Sequence, residues 1–116
     1  MKIGAIGGVA LRRDRPFLVA EAGVNHEAAL ARAIEMVDAA AEAGADMIKF
    51  QSYKAETLAS RQSPAYWDRR HETSASQFEL FRRYDAFDVE EYRKLAERCA
   101  AKGILFGTTC FDHRFL

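Results

Sequence analysis

The chain lacks the features that mark several protein classes. It has no apolar run near the roughly 20 residues that a membrane-spanning helix needs. Lysine plus arginine and aspartate plus glutamate number 17 each, so the formal net charge is zero. Without a basic excess there is no electrostatic drive toward nucleic acid or an anionic membrane surface. The local clusters Arg69-Arg70-His71 and Arg82-Arg83 read as solvated faces. Two cysteines, Cys99 and Cys110, make neither a disulfide framework nor a zinc set. Both are expected to be buried as small apolar side chains. The three histidines have no ligand-spaced neighbours. His26 is expected to be held by hydrogen bonds near a helix start rather than by a metal. The N-terminal stretch lacks a small-residue cleavage pattern, so no signal peptide is expected, and the whole fits a reducing cytoplasm. There is no G-x-S-x-G, Walker loop or CxxC. The glycine tract at 4–8 precedes a strand with no helix directly after it, which excludes a dinucleotide fingerprint.

What is present is an alternation of strand and helix periods. A length of 116 residues sets a prior of one domain, and 49% hydrophobic with 29% charged residues is an ordinary soluble composition. Residues 2–11 alternate around Gly7-Gly8, a hairpin signal. Asp14-Arg15-Pro16 is a turn. Phe17-Leu18-Val19-Ala20 is a continuous apolar run ending in Glu21, which suits a strand covered on both faces. Over 27–43, Leu30, Ile34, Val37 and Ala41 recur at helical spacing, and Gly44 closes the helix. Residues 47–51 read as a second strand, completing a βαβ unit.

Residues 54–87 are too long for a routine connection, and such excursions are often functional. Within them Ser74 and Gln77 have capping-box spacing before a short helix. Tyr66, Trp67, Phe78, Phe81 and Tyr84 are expected to pack beneath the excursion in preference to forming a substrate platform. Asp88 and Glu91 again have capping-box spacing. The next helix shows Val89, Tyr92, Leu95, Ala96 and Cys99 on one face and ends at Gly103. Residues 104–109 form a third strand. The fold class is α/β, a parallel sheet with helices against it and right-handed crossovers. Periodicity does not decide between an open sheet and a barrel.

The polar residues at the strand ends carry the chemical information. Glu21 and Asn25-His26 follow the first strand. Lys49, Gln51 and Lys54 occupy or follow the second. Thr108, Thr109 and Asp112 close the third. An ionisable side chain in an apolar strand is costly to bury alone. Adjacent parallel strands would bring Glu21 and Lys49 together, either as a structural pair or as part of a site.

These blocks resemble a known family. FLVAEAGVNH at 17–26 and AGADMIKFQSYK at 43–54 resemble the first two barrel strands of the N-acetylneuraminate (sialic acid) synthases. SQFEL at 76–80, the helix at 88–102 and GILFGTTCFD at 103–112 follow in the family's order. The family also includes legionaminate and pseudaminate synthases and spore-coat polysaccharide proteins. The resemblance implies that residues 1–116 are the N-terminal part of a (β/α)8 TIM barrel: its first three βα units, preceded by a β-hairpin that plugs the barrel's base. It implies an aldol-type condensation of phosphoenolpyruvate with the open-chain aldehyde of an N-acylated amino sugar. Phosphate leaves and a nine-carbon 2-keto acid results. By position, Glu21 matches the family's active-site glutamate, a candidate general acid/base. Lys49 matches the lysine that meets phosphoenolpyruvate, with Gln51 beside it, and Thr109 matches a phosphoenolpyruvate-binding threonine.

A divalent metal, Mn2+ or Mg2+, is implied as Lewis acid, with ligands on later strands outside this chain. A homodimer is implied for the complete protein, and the 116 residues alone are expected to be inactive. Departures bear on the substrate. The family continues Asn-His-Asn-Gly where this chain has Asn25-His26-Glu27-Ala28, which puts an acid near an anion-binding mouth. It reads Ser-Thr-Pro-Phe where this chain has Thr108-Thr109-Cys110-Phe111. The competing expectations are another phosphoenolpyruvate- or phosphate-using barrel enzyme, and a non-catalytic remnant that associates with another chain.

Overall fold

A computed structural model describes residues 4–116. Lys2 and Ile3, assigned above to the hairpin, lie outside the described residues. Strands β1 (Ala5–Ile6) and β2 (Val9–Ala10) pair antiparallel. Gly7 and Gly8 turn between them at φ 54° and 82°, the left-handed conformation that a two-residue hairpin loop requires. A Cβ on Gly7 would lie 2.6 Å from the Leu105 side chain, so the turn seats directly on the start of the third parallel strand.

That sheet has three strands, β3 (Val19–Gly23), β4 (Met47–Ser52) and β5 (Leu105–Cys110), parallel and in the order β3-β4-β5. Helix α1 (Leu30–Glu42) joins the first two. The excursion holds α2 (Ala55–Leu58) and α3 (Gln77–Tyr84), and α4 (Val89–Lys102) leads into β5. A 3₁₀ turn at His113–Phe115 follows β5. Residues of β4 alternate between half-buried and buried. Ile48, Phe50 and Ser52 point to α1 and α4 and pack with Val37, Leu95 and Cys99. Met47, Lys49 and Gln51 point to the other face. An ion pair of 2.6 Å between Arg98 and Asp38 ties α4 to α1.

Several boundaries differ from the sequence reading for local reasons. The first strand starts at Val19 because Asp46 accepts the Leu18 N–H at 2.8 Å and pairs with Arg15 at 2.9 Å, clamping the strand entrance. These bonds hold the Asp46 carboxyl below the usual carboxylate range, the Leu18 N–H contributing most. Helix α1 begins at Leu30, because residues 22–29 close turns from Ala22 to Asn25, Val24 to Glu27 and His26 to Ala29. The cap of α3 is Ser76, whose hydroxyl accepts the Glu79 N–H at 3.1 Å, while Ser74 is buried. The capping box of α4, Asp88 with Glu91, and its left-handed Gly103 terminus are as the spacing predicts.

Candidate functional site

Glu21, Lys49 and Thr109 come from three different strands and meet. Register places Glu21 opposite Lys49, and Gln51 opposite Thr109. Side chains two apart share a face, so all four lie on the face away from the helices. The Lys49 ammonium is 2.9 Å from the Glu21 carboxylate and donates to the Thr109 hydroxyl at 3.1 Å. A side chain reaching from β4 toward the last turn of β5 brings the charge to the C-terminal edge of the sheet. The Glu21 side chain is 51% exposed and that of Lys49 35%. At such exposure an ion pair contributes about 0–1 kcal/mol, so stability alone is a weak reason for it.

A β-bulge places Glu21. The register with β4 slips between Glu21 and Gly23, leaving Ala22 as the extra residue. Gly23 sits at φ 55°, and its missing Cβ would lie 3.5 Å from Glu21 Oε1 and 3.9 Å from Gln51 Nε2. A larger residue would crowd the space between those two polar groups. The bulge was not legible in the apolar run, though a glycine two residues after a strand-end acid is its sequence signal. The Gln51 backbone is fixed from behind by the Tyr92 hydroxyl, which donates to its carbonyl at 3.0 Å. Burial pushes the Tyr92 phenol up to about 12, so it stays a neutral donor.

Other strand-end residues go elsewhere. Lys54 donates to the backbone carbonyls of Asp85 and Phe87, both at 2.8 Å, and so closes the excursion. Thr108 faces the helices and bonds Ser52. Asp112 accepts from Thr57 at 2.6 Å and caps the 3₁₀ turn. His26 is 1% exposed. Its ring stacks on Phe87 at 4.3 Å between centroids and 8° between planes. Its Nδ1 accepts the Ala28 N–H at 3.1 Å, and burial lowers its pKa from the ordinary value. Glu27 pairs with Arg32. Among the described residues no three His, Cys, Asp or Glu converge to hold a metal ion.

The order of these elements matches known proteins. Residues 36–116 match the NeuB family. The chain belongs to the NeuB family. It is 38% identical over 100 residues to the N,N'-diacetyllegionaminic acid synthase of Legionella pneumophila, covering 84% of this chain and 28% of that protein. It is 33% identical over 108 residues to the spore coat polysaccharide biosynthesis protein SpsE of Bacillus subtilis, covering 92% and 28%. Among solved structures, the N-acetylneuraminic acid (sialic acid) synthetase of Leptospira borgpetersenii superposes with a TM-score of 0.68 at 31% identity, over 94% of this chain and 34% of that one. The chain therefore spans about 28% of the length of the curated NeuB-family relatives it matches. No helix among the described residues is long and apolar enough to cross a membrane.

Proposed function

We propose that this chain supplies the first part of a (β/α)8 barrel whose complete form condenses phosphoenolpyruvate with an N-acylated amino sugar to give a 2-keto sugar acid. The observation that carries the reading is the convergence of Glu21, Lys49 and Thr109 from three adjacent parallel strands at one sheet edge. In barrels of this class the C-terminal strand ends form the active site. The names of the relatives, a legionaminic acid synthase and a sialic acid synthetase, supply the product class, a sugar acid.

The chemistry follows from charge. Phosphoenolpyruvate is polyanionic. The Lys49 ammonium and the Thr109 hydroxyl are donors held on rigid strands, which lowers the cost of orienting it. When its C3 attacks the sugar aldehyde, the aldehyde oxygen takes up a proton. Water then adds at C2 and phosphate leaves. Glu21, within reach of Lys49, is the group able to give and take those protons. Gln51 presents an amide beside it. The divalent metal expected for the family finds no set of three ligands among the described residues, so no step here is assigned to it.

The test is a chimera in which residues 1–116 replace the aligned segment of the Legionella synthase. Phosphate release from phosphoenolpyruvate should depend on added amino sugar, and Glu21→Gln should slow it by about 10²–10⁴-fold. A folded chimera whose rate is unchanged by Glu21→Gln would remove the proposed role of Glu21. Lys49→Ala should raise the KM for phosphoenolpyruvate more than that for the sugar.

A further inference from the structure

The strand-end cluster holds a conflict of charge. The Lys49 ammonium lies 2.9 Å from the Glu21 carboxylate and donates to the Thr109 hydroxyl at 3.1 Å. Two of its three N–H directions are thus taken within the chain. As arranged, Glu21 and Lys49 together present no net charge to a third group. A polyanion that approaches Lys49 also approaches the carboxylate beside it, and like charges so placed oppose binding. The two roles read for this cluster, holding an anion and moving protons, therefore compete for one ammonium.

The pair is not locked. The Glu21 side chain is half exposed, and an ion pair so open to water is weak and easily broken. The bulge and the glycine after it leave the carboxylate a second place to go. A Cβ on Gly23 would lie 3.5 Å from Glu21 Oε1 and 3.9 Å from Gln51 Nε2, so those two groups flank one open space. The Gln51 side-chain amide is an uncharged donor. Its own backbone is tied down, because the Gln51 carbonyl accepts from the Tyr92 hydroxyl at 3.0 Å. Gln51 is the fixed partner of the two, and Glu21 the one free to turn.

We propose that Glu21 is a carboxylate with two positions. In one it pairs with Lys49. In the other it turns to the Gln51 amide, through the space that Gly23 leaves, as phosphoenolpyruvate takes the ammonium. A permanent pair would leave Lys49 with no net attraction for an anion, and a permanent turn to Gln51 would forgo the ion pair. The exchange gives each charge a partner at both stages. It also links the two roles, since the anion that arrives is what releases the carboxylate to take and give protons. Gly23 is then a clearance residue, because any side chain there closes the route. The inference rests on the condensation reading above and adds to it how one lysine serves both anion and acid.

The experiment is calorimetric titration of phosphoenolpyruvate into the 116-residue chain and its variants, each checked by circular dichroism. Glu21→Gln should bind about tenfold more tightly than the parent at low salt, although it removes the proton-transfer group. The gain should shrink as salt is raised. Glu21→Ala, which removes the carboxylate outright, should follow Glu21→Gln. Lys49→Ala should abolish binding with or without Glu21, which ties the signal to this cluster. Gln51→Ala should weaken the parent about threefold and leave Glu21→Gln unchanged, a non-additive cycle. Lys49-dependent binding that is equal or weaker in both Glu21 variants overturns the exchange and leaves Lys49 as an anion ligand. An equal cost of Gln51→Ala with and without the carboxylate also overturns it, by making Gln51 a direct ligand of the anion. No uptake by the parent or by either Glu21 variant sinks the condensation reading with it.

Discussion

Glu27 and Ala28 occupy φ 51° and 62°, a region in which an L side chain crowds the following carbonyl. The family pattern quoted above has Asn and Gly at these two places, the residue types that tolerate this conformation best. Glu27 therefore carries a backbone cost, and Arg32 takes up its charge. Ala28→Gly should raise stability by about 0.5–1 kcal/mol and Glu27→Asn by a few tenths, read as a shift of the urea midpoint at constant slope. The neighbouring His26 adds a pH dependence. In the unfolded chain its imidazole protonates near 6.5, but in the folded chain burial postpones this to lower pH. The unfolded state thus binds the proton first. The His26 contribution is fully present above about pH 6.5 and is lost as the pH falls from there toward the depressed folded value. Between pH 7 and 5 the urea midpoint should drop in the parent chain and drop less in His26→Phe. An equal drop in both would assign the loss to other groups.

At the scale of elements, the sheet face away from the helices is fitted by size as well as by charge. A Cβ on Gly107 would lie 2.7 Å from Met47 Sδ, so the thioether occupies the space that glycine leaves. Gly107→Ala should cost the β4–β5 pair at most about 1 kcal/mol, because the flexible Met47 thioether can swing aside. Met47→Ala in the same chain should return part of that loss, giving a non-additive double-mutant cycle by chemical denaturation. How far this arrangement was legible in the sequence depends on the range of the interaction. The strands, the helices and the Asp88–Glu91 box are written in local period and capping chemistry. So is the parity that puts Glu21, Lys49, Gln51 and Thr109 on one face. The bulge at Ala22 and the Lys54 anchor to Asp85 and Phe87 were not legible, because each depends on which strand or loop lies opposite. The aromatic residues of the excursion divide for the same reason. Phe81 and Tyr84 line a cavity, whereas Tyr66 is 77% exposed and packs under nothing.

Across the whole molecule, the helices cover one face of the sheet and leave the other to the hairpin and the charged cluster. Among the described residues nothing pairs with the outer edges of β3 and β5. Leu18 and Val19 at the β3 end are 45% and 46% exposed. Unpaired edges beside exposed apolar side chains recruit further strands. The isolated chain should therefore self-associate as its concentration rises. Val19→Lys should shift sedimentation velocity profiles toward the monomer, and identical profiles would place the contact elsewhere.

The two ends of the excursion are pinned to each other. Lys54 holds the carbonyls of Asp85 and Phe87, and the Ala55 N–H is accepted by Asp85 at 2.9 Å. Whatever runs between them leaves and returns at the same point beside β4. The segment is thus an interchangeable cassette. Its length and lining can be rewritten without moving Glu21, Lys49 or Thr109, so a change in this segment need not disturb the strand-end cluster.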